Sequence, residues 1–222
     1  MRKIFHLLLA WLLLCASSTL AQEFQINSSQ GAGWILLELD DVNAQLRQAG
    51  FPALTGGAQI YGGSSTFPQQ DLPWRWGFTG MFWNSKGGES VSLDASFFGL
   101  VLDWTLRPLS AGRISSGVAG GVNLAQLTVR KGLAFDFQDV IHPNQGQFSQ
   151  VQKWGVWMTP YLQYELSVLD SDFLLRAWGG YLFTPWLSTW AQGPGFFGSI
   201  GFDGPPSNLG GPFFMLELSF GL

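Results

Sequence analysis

Trp154-Gly155-Val156-Trp157-Met158-Thr159-Pro160-Tyr161-Leu162-Gln163-Tyr164-Glu165-Leu166-Ser167 alternates from end to end. Trp154, Val156, Met158, Pro160, Leu162, Tyr164 and Leu166 share one face, and Gly155, Trp157, Thr159, Tyr161, Gln163, Glu165 and Ser167 share the other. A period of two is a strand's, because successive side chains point to opposite sides of a sheet; a helix would repeat every 3.6 residues. Trp154 and Tyr164 lie ten steps apart. At about 3.3 Å per residue and a tilt near 40°, such a pair is separated by about 25 Å along the sheet axis, the height of an apolar band flanked by aromatic girdles. Phe173 and Phe183 repeat the spacing on the next segment.

The same rule predicts eight strands, near 34–39, 58–64, 74–84, 90–106, 116–130, 154–167, 173–184 and 213–222. In the third, Trp74, Trp76, Phe78, Gly80 and Phe82 form an apolar face, while Arg75, Gly77, Thr79, Met81 and Trp83 point the other way. In the fourth, Ser92, Asp94 and Ser96 share a face that Asp103 does not. A β-bulge near Phe97-Phe98-Gly99 is expected to return Asp103 to the interior, since one extra residue flips every later side chain. The longest connectors, Lys131 to Lys153 and Pro185 to Pro212, fall at one end with the shorter 85–89 segment, and the turns near 65–72, 108–112 and 170–172 at the other. Between the first two strands, Asp40 or Asp41 is expected to cap a short helix ending at Gly50, with an apolar stripe of Val42, Leu46 and Ala49 resting on the rim. Some 200 residues in eight short strands, without an internal repeat, make one domain. Glycines within the strands suit the tight curvature of a small closed barrel.

Arg2 and Lys3, the largely apolar run Ile4 to Leu14 and the small residues up to Ala21 read as a cleaved signal peptide over 1–21, leaving 22–222 as the barrel domain. Eleven residues of helix span only about 16 Å, too short for a membrane anchor. Losing this segment removes the single cysteine, Cys15, and leaves nine basic against fifteen acidic residues, a formal charge of −6. Disulfide and CxxC chemistry are thereby excluded from the mature chain, and an acidic chain without a basic stripe does not suit nucleic acid. If the mature chain enters a membrane it does so as β-structure.

Facing places Glu165, Arg176 and Glu217 inside, at one level near the short-turn end. A hairpin about Leu169 and Asp170 sets Arg176 nearly opposite Gln163 and diagonal to Glu165. Arg75 and Asp103 form a second interior pair. Eight strands leave room only for side chains, so these charges must pair with one another or with water; they are read as a network that closes the lumen and fixes register, ahead of a gate or proton-sensitive site. Arg130 and Lys131, ending a strand at the long-loop mouth, are placed to meet lipid phosphates or to sit solvated in a turn. His142, the one histidine after cleavage, has no evident triad, though Ser149 or Asp139 could approach it in space. One histidine and no cysteine exclude the usual zinc sets, and Asp136, Asp139 and Asp203 lack EF-hand spacing, so no metal or other cofactor is expected. Ser85-Lys86-Gly87-Gly88 reads as a hairpin turn and lacks the residues of a phosphate loop.

Phe214-Met215-Leu216-Glu217-Leu218-Ser219-Phe220-Gly221-Leu222 alternates like the closing strand of an outer-membrane barrel. With the preceding pattern, the whole mature chain resembles the OmpA/OmpX-like class of small eight-stranded bacterial outer-membrane β-barrels, departing from it at Leu222, where the class usually has an aromatic residue. The resemblance implies an antiparallel up-and-down transmembrane barrel of the Gram-negative envelope, monomeric, in contact with outer-membrane lipids, lipopolysaccharide and the outer-membrane assembly machinery. It implies a non-enzymatic structural or surface-interaction role. A narrow small-solute (porin-like) channel and a lipid-modifying enzyme near His142 are the alternatives. A soluble exported lipocalin-like ligand-binding barrel would carry the same alternation with its faces reversed. The two architectures are separated by which face is outside.

Overall fold

The computed structural model describes residues 26–68, 72–130, 148–168, 173–185, 187–188, 190–192, 200–202 and 209–221. Its elements are β1 (Asn27–Leu36), α1 (Asp40–Gln48), β2 (Gly57–Pro68), β3 (Trp74–Gly87), β4 (Val91–Leu109), β5 (Gly112–Arg130), β6 (Phe148–Ser167), β7 (Phe173–Leu182), β8 (Trp190–Gln192), β9 (Ile200–Phe202) and β10 (Gly211–Gly221). Each long strand pairs antiparallel with its neighbours in sequence, β7 pairs with β10, and β10 pairs with β1, closing an eight-stranded barrel. The short β8–β9 hairpin adds to the far end of β6 through Val151 and Gln152.

Register fixes the barrel's shape. A circuit of paired residues from Gly221 passes Asn27, Thr66, Gly77, Val101, Ala119, Thr159 and Leu182 and reaches β10 again at Gly211, ten residues earlier. A stagger of this kind requires strands tilted by about 35–45° and a bore that side chains fill.

Apolar side chains cover the outside: Trp76, Phe78, Phe98, Leu100, Leu102, Trp104, Met158, Leu162, Leu175, Phe214, Leu216 and Leu218 are all exposed, Leu162 by 61%. Phe67, Trp76 and Phe78 form an outward ridge, with ring centroids 4.8 Å (Phe67–Trp76) and 5.9 Å (Trp76–Phe78) apart. Arg75, Asp103, Glu165, Arg176 and Glu217 are enclosed. The rings therefore face outward and the charges inward, the arrangement opposite to that of a soluble ligand-binding barrel.

This polarity reverses along the axis. Toward the α1 end, the interior is mainly apolar, with Ile35, Ile60, Met81, Trp83, Leu93, Phe97, Trp157, Leu182 and Trp190 buried in one cluster; the polar Asn123 and Thr128 are buried at the same end. On β3 and β4 the outer face there is polar: Ser92, Asp94 and Ser96 point outward, and Asn84 donates to Asp94 at 2.6 Å. Lys153, buried at this end, has its ammonium 5.6 Å from the Trp190 ring.

This reversal removes the need for a bulge in β4. The β3–β4 register runs unbroken from Trp74↔Trp104 to Gly87↔Val91, and the single shift on β4 lies beyond Asp103, between Thr105 and Arg107. Asp103 is inward because it shares phase with Val91, Leu93, Ala95, Phe97 and Val101. Ser92, Asp94 and Ser96 were expected inside on the premise that polar residues face the lumen at every height, and beyond the apolar belt that premise fails.

Three local details also differ from expectation. α1 follows Leu39 and has no side-chain cap; Asp40 and Asp41 lie within its first turn, where carboxylates favourably meet the helix's positive end. Val42 and Leu46 are buried in the barrel cluster but Ala49 is exposed, and Gly50 ends the helix with φ 80°. β3 continues through Ser85 to Gly87, moving the turn to residues 88–90.

A candidate site: the alternating charge ring in the lumen

Six successive strands each contribute one charged side chain near the short-turn end. In ring order these are Arg75 on β3, Asp103 on β4, Arg113 on β5, Glu165 on β6, Arg176 on β7 and Glu217 on β10. The signs alternate without a break, and Ser29 on β1 and Ser64 on β2 complete the circle. Register produces this pattern: Arg75↔Asp103, Arg113↔Glu165, Glu165↔Arg176 and Arg176↔Glu217 are direct cross-strand partners.

Glu165 is the hub. Arg75 donates to it through Nη2 at 2.8 Å and Nη1 at 3.3 Å, Arg176 through Nε at 2.9 Å, and Arg113 through Nε. Arg75 Nε also pairs with Asp103, whose other oxygen accepts from the Tyr161 hydroxyl. Glu217 accepts from Ser29 Oγ at 2.6 Å, Trp178 Nε1 at 2.9 Å and Arg176 Nη1 at 3.3 Å. Arg176 Nη1 further donates to Ser64 Oγ at 2.8 Å and Ser29 Oγ at 3.0 Å. Arg176 thus ties β7 to β6, β10, β1 and β2, bridging the seam where first and last strands meet.

Three guanidinium groups balance three carboxylates, and every acid has at least one arginine against it. Charges this deep are tolerated when paired and hydrogen-bonded. Only Arg113 is appreciably open, with 27% of its side chain exposed. The ring crosslinks the sheet from within.

All five predicted lumen residues meet in this cluster. The expected β6–β7 register is displaced by two residues: Arg176 lies opposite Glu165 and Gln163 opposite Trp178, with Ser167 paired to Leu174. Arg113, Tyr161, Trp178, Ser29 and Ser64 were not anticipated. Starting β5 at Ser116 left Arg113 outside any strand, whereas carrying its alternation back to Gly112 would have placed Arg113 inside. Arg130, the exposed last residue of β5, stands eight residues past the exposed belt residue Val122. Lys131, Asp136, Asp139, His142 and Asp203 lie outside the described residues. Among the described residues, no three histidine, cysteine or acidic side chains gather as a metal site.

No protein-family model and no curated protein matches the chain. Among solved structures, it is similar to Ail, the attachment invasion locus protein of Yersinia pestis, over 90% of this chain and 100% of that one, with 12% identity and a TM-score of 0.47.

Proposed function

We propose that this chain is an integral outer-membrane barrel with a closed lumen, non-enzymatic, whose role is structural or exerted through its long-loop end on surface partners. The observation that carries this reading is the reversed polarity of the barrel wall: an apolar belt outside and a neutralised ionic ring within. In water such a belt, far larger than a soluble monomer's ordinary apolar patch, would drive aggregation; in a bilayer it is the required surface. Two successive fillings, one ionic and one apolar, speak for a blocked bore over a narrow channel. Membrane lipids and lipopolysaccharide are its immediate surroundings, reached after insertion by the outer-membrane assembly machinery.

Fractionation and electrophoresis test the placement. The protein should stay with outer membranes until detergent is added and migrate differently before and after boiling, whereas release in a detergent-free periplasmic wash would overturn the reading. Purified protein in planar bilayers should give no stable large conductance. Lipid A from cells carrying the chain should keep its mass; a mass shift abolished by His142→Ala would establish an enzyme instead.

A further inference from the structure

Of the buried side-chain atoms without a hydrogen-bond partner among the described residues, only Ser115 Oγ and Gln163 Nε2 belong to direct cross-strand partners. Ser115 on β5 and Gln163 on β6 both face the lumen and are buried. They sit within the ionic ring. Arg113 lies one inward position before Ser115, Glu165 lies one after Gln163, and Asp103, paired with Gly117, is diagonal to Ser115. Gly117, the inward position after Ser115, adds no side chain. The ring's acceptors are unequally used. Glu165 accepts two hydrogen bonds from Arg75 and one each from Arg176 and Arg113, which fills both oxygens. Asp103 accepts one on each oxygen, from Arg75 and Tyr161, so each keeps an open lone pair.

We propose that Ser115 and Gln163 form a binding site for one water molecule, which bridges them to Asp103 and is reached from the short-turn mouth past Arg113. Two neighbouring polar groups that face the same way without bonding to each other would each carry the full cost of lost hydration. One small molecule between them removes both costs. The local charge selects its class: Arg75 and Arg113 balance Asp103 and Glu165, so neither an anion nor a cation gains net attraction. Water has the required valence. It accepts from Gln163 Nε2 and Ser115 Oγ and donates to an open lone pair of Asp103, three bonds in all, as is typical of buried water. Arg113 is the ring member with appreciable exposure, so exchange runs past it to the turn side. On the long-loop side the site is roofed by Tyr161 and Trp178, whose ring centroids are 5.1 Å apart. The inference rests on the closed-lumen reading, since in a conducting bore the same groups would meet bulk solvent.

The test uses the barrel folded in detergent micelles with isotope-labelled glutamine side chains, the Gln163 amide signal being assigned by its loss in Gln163→Leu. In magnetic resonance, the Gln163 amide protons should cross-relax with water with the sign of a long-lived complex. Ser115→Val, whose methyl groups fill the water's space, should reduce that cross-peak several-fold while heat-modifiable migration is retained. Diffraction from the unsubstituted protein supplies a second measurement: a solvent oxygen within hydrogen-bonding distance of Ser115 Oγ and Gln163 Nε2. No cross-peak in the parent chain, a cross-peak unchanged by Ser115→Val, or a direct Gln163–Ser115 bond in the crystal overturns the site. Short-lived, bulk-like contact accompanied by stable conductance in planar bilayers overturns the closed lumen, whereas the same contact without conductance overturns the water site alone.

Discussion

Arg176 and Glu165 are held from several sides, and removing one leaves its partners buried and unpaired. Arg176→Ala is therefore expected to cost about 3–5 kcal/mol, read as a fall in the urea midpoint of the barrel in detergent. Arg113→Ala should cost distinctly less in the same titration, since its side chain already meets solvent. Gly117 illustrates a contact that composition cannot reveal: a β-carbon there would collide with the Tyr161 hydroxyl and the Leu102 carbonyl. Gly117→Ala should displace Tyr161 from Asp103 and lower the same midpoint. Parity alone placed Arg75, Glu165, Arg176 and Glu217 in the lumen, because an isolated charge on an alternating strand has only two sides to choose from. The full membership of the ring was hidden, since Ser29, Ser64 and Trp178 acquire meaning only from cross-strand register, and register depends on where each hairpin turns.

Among the elements, the eight long strands were legible because their alternation is unbroken over the belt. β1 was expected to begin at Trp34, yet pairing extends it back to Asn27, through small and polar residues with little strand signature of their own. The β8–β9 hairpin lies within a segment read as one connector. β4 was legible in extent but not in facing: its outward Ser92, Asp94 and Ser96 are polar for the ordinary reason that they lie above the belt. α1 shows the same division, its position and end marked by Gly50, its anchoring to the interior visible only in three dimensions. Leu46 belongs to the buried cluster, so Leu46→Ala should cost about 2–5 kcal/mol, scored by thermal unfolding of the detergent-solubilised protein. Migration in unboiled gels should still report a closed barrel below that transition.

For the whole molecule, the consequence of reversed polarity is that equal substitutions have unequal effects at different heights. Leu162→Arg, on the belt, should destabilise insertion by about 2–4 kcal/mol, measured as the folded fraction recovered in lipid vesicles. Asp94→Arg, outward but beyond the belt, should leave that fraction nearly unchanged. Equal losses from both would contradict a boundary between lipid-facing and water-facing wall along β4.

The order of the two fillings gives the bore a direction. In the proposed closed lumen, a hydrated ion arriving from the long-loop side would first meet a mainly apolar cluster whose buried charge is the Lys153 ammonium, whereas one arriving from the turn side would meet fixed charges of both signs. Any leak induced by loosening the structure should therefore differ with the face that is challenged: weakening the salt links would wet only a vestibule, and the oily stopper above it would still hold back the current.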